Sequence, residues 1–350
     1  MVTVPALVLA MLVASGCGGS DDTATGAESS DTTAAATTST VAATSSTVDL
    51  GPAQAAGPLA PLTGIPIPAD LERPALAVKI DNHVRARPQM GLEQADLVFD
   101  FRAEGVTRFL AVFHSQLPDA LGPVRSSRTS DFDLLWALDE PIYASSGGNA
   151  TVMAGLGSIP VHALTNQTRS EYYREGGRPA PHNLYVHPND LLALVSDGGP
   201  PEPWFQYRAD GAELPAGAEA IESVTVDFTD TPTVGFEWSG EREGWLRTQD
   251  GSPHLAEGGE QLAPTNVVIM ITTYGVSAAD AKSPEVDSVG SGTLVVLTDG
   301  HVVVGTWRRD APSDKPVLLD ADGNEITLTA GQTWVLYPEK GQVRVGDDLY

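Results

Sequence analysis

The sequence predicts an α+β protein: a mixed α/β N-terminal domain followed by a β-rich, antiparallel C-terminal domain. Three observations predict it. Short runs rich in Val, Ile, Leu and Phe, bounded by Gly, Pro or charged residues, recur from residue 61 onward, as buried strands do. Helix signals, a capping Ser or a Pro at a first-turn position, are confined to the stretch before residue 200. Between the two patterns the chain is broken by Gly198-Gly199-Pro200-Pro201 and Pro215-Ala216-Gly217.

Taken in order, residues 1–17 read as a lipoprotein signal. Val2 to Gly16 carry no charge and end in Ala14-Ser15-Gly16, small residues leading into Cys17, the single cysteine of the chain. The run is short for a hydrocarbon core of about 30 Å, which takes about 20 apolar residues to cross. Cys17 is the expected lipidation site, and the membrane is the expected partner through that lipid. Residues 18–60 are mostly Ser, Thr, Ala, Gly and Asp, with five acids, no Lys or Arg and no aromatic residue. Too few large apolar side chains are present to offset the entropy of ordering, so this segment reads as a disordered tether. The expected address is extracytoplasmic, lipid-anchored to the outer face of the cell membrane.

Residues 61–205 form the predicted mixed α/β domain. Ala75–Asp81, Leu97–Ala103, Thr107–Ser115 and Ile142–Ser145 read as strands, with Glu104-Gly105-Val106 as a hairpin turn. Ser126 or Ser127 is placed to cap a helix running to about Leu138. Asn149–Leu156 reads as a shorter helix, and Pro188 opens another that runs to Asp197. Residues 206–350 form the predicted β-rich domain. Ser223–Phe228, Asn266–Tyr274, Thr293–Thr298, His301–Trp307 and Thr333–Tyr337 read as strands, and Asp299-Gly300 is a hairpin signal. An antiparallel sheet or small barrel follows from these.

Charge narrows the function. The 350 residues carry 20 Lys+Arg against 46 Asp+Glu, a net charge of −26 that repels a phosphate backbone, so no nucleic acid is expected. One cysteine excludes an intramolecular disulfide and a thiolate zinc cluster. Residues 61–205 hold 11 bases and 17 acids, and residues 206–350 hold 9 and 24, so the arginines concentrate in the first part.

Several of those bases lie at predicted strand ends. Lys79 and Arg87 flank the first strand's end, Arg108 opens the strand after the hairpin, and Arg125 and Arg128 follow Gly122-Pro123. Strand ends of α/β sheets hold ligands, and converging guanidinium forks recognise carboxylate or phosphate bidentately. An anion-binding cleft is one reading; structural ion pairs with Asp81, Asp96, Asp100, Glu104 and Asp131 are the other. A hydrolase reading stands beside the binding one, with Asp81 or Glu104 as general acid or base and His182 assisting. A purely interacting protein is a third, and would show an exposed apolar patch instead of a polar hollow. Ser145-Ser146-Gly147-Gly148-Asn149 lacks both the GxGxxG spacing and the P-loop lysine. There is no G-x-S-x-G and no HExxH. Asp320-Ala321-Asp322-Gly323-Asn324 lacks the closing Glu of a calcium loop and reads as a turn. No cofactor and no metal are expected.

The motifs together resemble a family. Val78-Lys79-Ile80-Asp81-Asn82-His83, Ala86-Arg87-Pro88-Gln89, Thr107-Arg108-Phe109, Gly122-Pro123-Val124-Arg125-Ser126 and Ala180-Pro181-His182-Asn183-Leu184-Tyr185 resemble the N-terminal domain of the YerB-like lipoproteins. Ala263-Pro264-Thr265-Asn266-Val267-Val268, Gly290-Ser291-Gly292 and Gly305-Thr306-Trp307 resemble that family's C-terminal domain. The resemblance implies a two-domain bacterial lipoprotein. It transfers no catalytic residues. The function expected from residues and resemblance together is an envelope protein that binds an anionic or cell-wall-derived ligand through the arginine-rich cleft, with cell-wall fragments or an envelope protein as partner.

Overall fold

A computed structural model describes residues 57–350 apart from 70, 167, 168, 230 and 232. The segment read as a signal, its Cys17, and the tether as far as residue 56 lie outside the described residues. Up to residue 200 the chain forms β1 (Leu76–Asp81), β2 (Leu97–Arg102), β3 (Thr107–Phe113), α1 (Phe132–Trp136), β4 (Ile142–Ser145), α2 (Ala150–Leu156), β5 (His162–Thr165), β6 (Tyr172–Arg174), β7 (Leu184–Val186) and α3 (Pro188–Leu192). There follow β8 (Glu219–Ala220), β9 (Ser223–Val226), β10 (Val234–Ser239), β11 (Gly244–Gln249), β12 (Ser252–Pro253) and β13 (Asn266–Met270). The remainder is β14 (Tyr274–Val276), β15 (Pro284–Val286), β16 (Gly290–Thr298), β17 (His301–Arg309), β18 (Val317–Leu319), β19 (Thr333–Leu336), β20 (Val343–Val345) and β21 (Asp348–Leu349).

One sheet runs through both halves of the chain. Its order is β18-β17-β16-β13-β19-β2-β3-β1-β4-β5, with β8 beside β17. The joint is the parallel pairing of β19 with β2, in which Thr333 faces Leu97 and Leu336 faces Asp100. A second sheet, β12-β11-β10-β9-β20-β21, is built wholly from the second half.

Strand alternation explains the layers, because successive side chains leave opposite faces of a sheet. Leu76, Val78, Ile80, Val98, Phe109 and Ala111 pack with Val224, Phe236, Trp245 and Val343 of the second sheet. The opposite face, with Ala77, Leu97, Phe99, Phe101 and Val112, packs with Leu134, Leu135, Leu156, Trp204 and Trp307. Central strands covered on both faces read as continuous apolar runs, and all seven residues of β3 are buried.

The fold is mostly β, which corrects the weight placed on helix in the N-terminal part. The helices there are short, five residues in α1 and α3 and seven in α2. α1 begins at Phe132 instead of after Ser126 or Ser127, because the backbone N–H of Arg128 donates to Asp131 and a 3-10 turn over Thr129–Asp131 intervenes. Ser127 spends its hydroxyl on Ser145. The named strands of the second half pair antiparallel with one another except β13 and β19, which run parallel.

Candidate functional site

β1, β2 and β4 run parallel and end at one sheet edge, where the antiparallel β3 begins. That direction sets Asp81, Arg102 and Ser145 at strand ends and pairs Asp81 with Arg108 across the ladder. The segment 123–127 crosses this edge, tied on both sides by main-chain bonds. Asp81 donates to Pro123 O (2.9 Å) and Arg125 to Lys79 O (2.7 Å); Ser146 donates to Arg125 O (2.9 Å) and Ser127 to Gly147 O (2.9 Å). Gly147 has φ +93°, a left-handed conformation that Gly takes without steric cost, so this Gly is required by the turn.

Asp81 is the hub. It is 1% exposed, and its Oδ2 lies 2.7 Å from His182 Nδ1 and 3.4 Å from Arg125 Nε. Its Oδ1 accepts the His83 backbone N–H at 3.0 Å. The His83 ring stacks on His182 with centroids 4.4 Å apart. The loop carrying His182 is fixed next door, where Asn183 accepts from Arg174 (2.7 Å) and donates to Glu175 O (2.8 Å). With Nδ1–H donating to the carboxylate, the neutral ring carries its lone pair on Nε2. Among the described residues neither that Nε2 nor the terminal nitrogens of Arg125 has a hydrogen-bonding partner, and the Arg125 side chain is 24% exposed.

Glu104 sits apart, clamped. Arg128 Nε and Nη2 donate to it at 2.5 and 2.9 Å, Arg108 Nη2 at 3.0 Å, and Ser283 Oγ at 2.6 Å. Burial pushes its carboxyl up, but the bonds from Arg128 and Ser283 and the charges of Arg108 and Arg128 outweigh that and bring it down to about 2. The ordinary value is 4.5, so this group's contribution is complete above pH 4.5 and is lost as pH falls towards 2, where the folded carboxylate at last takes a proton. The full linkage is about 3 kcal/mol at 1.36 kcal/mol per unit, and solvent screening reduces it to roughly 2. Urea unfolding at pH 6 and pH 3, an interval that covers somewhat more than half of the loss, measures it: Glu104→Gln is expected to lose roughly 1 kcal/mol less than the wild type between the two, and equal losses would refute the clamp.

Below these groups Lys79 is fully buried. Its Nζ lies 2.7 Å from Asp131 Oδ1 and 3.8 Å from the centre of the Phe101 ring. Burial lowers it to about 8, with Asp131 opposing and Arg108 and Arg128 adding to the shift. Asp131 Oδ2 accepts from Tyr143 Oη and from the Arg128 N–H, both at 2.8 Å. Arg108 is 5% exposed and brought down to about 10 by burial first and then by its neighbour Arg128.

Of the five cations expected to meet, the structure therefore gathers Arg108, Arg125 and Arg128 at one edge. Lys79 lies beneath them in the interior, because on β1 its side chain points into the apolar layer of Ala77, Phe101 and Tyr143. Arg87 faces elsewhere: it donates to Asn82 O and lines a separate hollow of about 280 Å³ with Pro88, His254, Leu255 and Glu257. Asp81 and His182 meet as one pair, and Glu104 is not in hydrogen-bonding contact with either.

Beside this cluster a polar cleft of about 270 Å³ opens between Ser126, Arg128 and residues 146–149 on one wall and residues 277–283 on the other. The second wall comes from the loop between β14 and β15. Thr129 and Ser277 share a hydroxyl bond (2.7 Å), Asn149 Nδ2 donates to Ala279 O (3.0 Å), and Tyr274 Oη accepts from the Arg102 N–H while donating to Tyr337 O. Sequence reasoning missed Ser277, Ala279, Asp280 and Ser283, for nothing local marks a small polar loop as the cover of a site some 130 residues earlier in the chain. Among the described residues no group of three or more His, Cys, Asp or Glu is placed to hold a metal ion.

Two family models match the chain, the N-terminal domain of a protein family of unknown function (DUF3048) over residues 62–200 and its C-terminal domain over 224–335. A Bacillus subtilis (strain 168) relative named "Putative lipoprotein YerB" is 29% identical over 301 residues, 79% of this chain and 85% of the relative. The chain belongs to the YerB-like family. A crystal structure of the Bacillus subtilis YerB protein superposes with a TM-score of 0.72 at 25% identity, covering 83% of this chain and all of that one. The family's function is unknown, and the Bacillus subtilis relative's name, a putative lipoprotein, supports an envelope protein of undetermined role. No helix among the described residues is long and apolar enough to cross a membrane.

Proposed function

We propose that this member of the YerB-like family is anchored through a lipid on Cys17 to the outer face of the cell membrane, where it binds an anionic, cell-wall-derived ligand at the sheet edge of Asp81, Arg125 and Ser126. The observation that carries the reading is Arg125. Arg108 and Arg128 spend their guanidinium groups on Glu104, whereas Arg125 contacts Asp81 only through Nε and leaves its terminal fork for a ligand. The hydroxyls of Ser126, Ser146, Ser277 and Ser283 line the neighbouring cleft and suit a polyol or sugar backbone attached to the anion.

Thermal shift with soluble cell-wall fragments tests this. At 100 times Kd a ligand adds about 2.7 kcal/mol, a rise of roughly 5 °C for a body of this size. Arg125→Ala is expected to remove that rise while leaving the unliganded Tm within about 1 °C, since the 3.4 Å contact is long and Asp81 keeps His182 and the His83 N–H as partners. No rise in the wild type with any fragment would refute the reading. For the anchor, Cys17→Ser is expected to move the protein from the membrane to the soluble fraction on fractionation; retention in the membrane would show that another element holds it.

A further inference from the structure

We propose that Asp81, His182 and Arg125 form a proton-transfer centre that cleaves phosphodiesters. This rests on the same site as the binding reading and adds turnover to it.

A single oxygen, Asp81 Oδ2, anchors both working groups. It lies 2.7 Å from His182 Nδ1 and pairs by charge with Arg125 Nε at 3.4 Å, a contact without hydrogen-bond geometry. The imidazole therefore leaves its Nε2, and the guanidinium its two terminal amino groups, without a partner among the described residues, both anchored at the same carboxylate oxygen. A planar fork fits two phosphate oxygens, and a base beside it is placed to act on a nucleophile at phosphorus. The buried carboxylate fixes the ring's tautomer and balances the imidazolium that forms.

Other chemistries fit the residues less well. Among the described residues no hydroxyl is hydrogen-bonded to His182 Nε2, so no serine or threonine stands ready as a covalent nucleophile. A glycoside hydrolase of the usual kind needs two working carboxylates, and here Glu104 is held by two arginines while Asp81 is committed to His182. What remains is a base, an anion clamp and a nucleophile from solvent. In the step, a water oxygen bonds to phosphorus as its proton passes to His182 Nε2. The bond from phosphorus to one ester oxygen breaks, and the imidazolium returns its proton to that oxygen. The products are a phosphomonoester and an alcohol, with no change of oxidation state. Arg125 neutralises the charge that builds on the phosphoryl oxygens.

The test is release of p-nitrophenol from bis(p-nitrophenyl) phosphate by the full chain in the presence of a chelator, with p-nitrophenyl acetate as the comparison ester. Turnover of the phosphodiester is expected, falling by about 10²-fold or more in His182→Ala, the usual contribution of a general base, and restored in part by added imidazole. Asp81→Asn, a positioning change, is expected to lower turnover and alter its pH profile. No phosphodiester turnover by the wild type, turnover of the acetate alone, or a His182→Ala variant as active as the wild type would overturn the proposal. A thermal shift with cell-wall fragments in a protein without turnover would leave the binding reading standing and sink this one.

Discussion

Arg247→Leu is expected to lower stability by about 3–5 kcal/mol, the cost of leaving one member of a buried ion pair without its partner. Arg247, on β11, and Asp100, on β2, are both fully buried, 2.9 Å apart. The guanidinium also donates to Gln249 and contacts His254, and it lies 4.8 Å from the ring centre of Trp334 and 5.4 Å from that of Phe109. Burial pushes the Asp100 carboxyl up despite the arginine, and burial brings Arg247 down to about 10 despite Asp100. Without the cation, Asp100 must either take a proton or stay charged in an apolar layer. The double variant Arg247→Leu with Asp100→Leu removes both charges, so it is expected to recover most of the loss. Urea denaturation reads both, and a single variant costing under about 1 kcal/mol would show that the pair is not what holds this region. The network also joins the halves of the chain, for His254 Nε2 lies 2.8 Å from Gln89 Oε1, and Gln89 Nε2 donates to Asp81 O.

The second large effect is expected at Asp131. Asp131→Ala strips three donors at once: the Lys79 ammonium, the Tyr143 hydroxyl and the Arg128 backbone N–H. A buried cation would remain with only the Phe101 ring beside it, so a loss of about 3–5 kcal/mol is expected. Because Asp131 also pins, through the Arg128 N–H, the end of the segment that carries Arg125 and Ser126, the ligand-induced thermal shift should fall along with the stability. Lys79→Met is the informative companion. It removes the cation yet leaves Asp131 its two neutral donors, so it should cost clearly less than Asp131→Ala and retain the ligand response. Equal losses in the two variants would mean that the buried carboxylate left without its cation costs as much as the cation left without its carboxylate, and that the two neutral donors do not compensate.

Glu104 shows why the strand-end arginines were only partly legible. Sequence spacing puts Arg108 four residues after Glu104, which invites the pair, but Arg128 and Ser283 reach the same carboxylate from elsewhere in the fold. Whether a guanidinium is free for a ligand depends on how many acids the fold delivers to it. Arg125 keeps its fork only because Asp81 is shared with His182, a residue 101 positions away. The hydrolase expectation set Asp81 or Glu104 beside His182, and the fold brings Asp81 to it while Glu104 is taken by arginines. Arg87 and Lys79 lie at the right sheet edge by sequence but are turned to another hollow and to the interior.

By itself the sequence determined what depends on near neighbours. The apolar runs fixed β1 to β4, β13 and the hairpin at Asp299-Gly300, and the motif set established the family, because strand periodicity, turn chemistry and short motifs are all written within a few residues. Only the tertiary structure decided that β19 lies beside β2 and fuses both halves into one sheet, that the 277–283 loop walls the cleft, and that Asp81 joins His182 to Arg125. Those outcomes rest on contacts between segments far apart in the chain. Their energies come from shared burial and charge pairing, which no local pattern encodes.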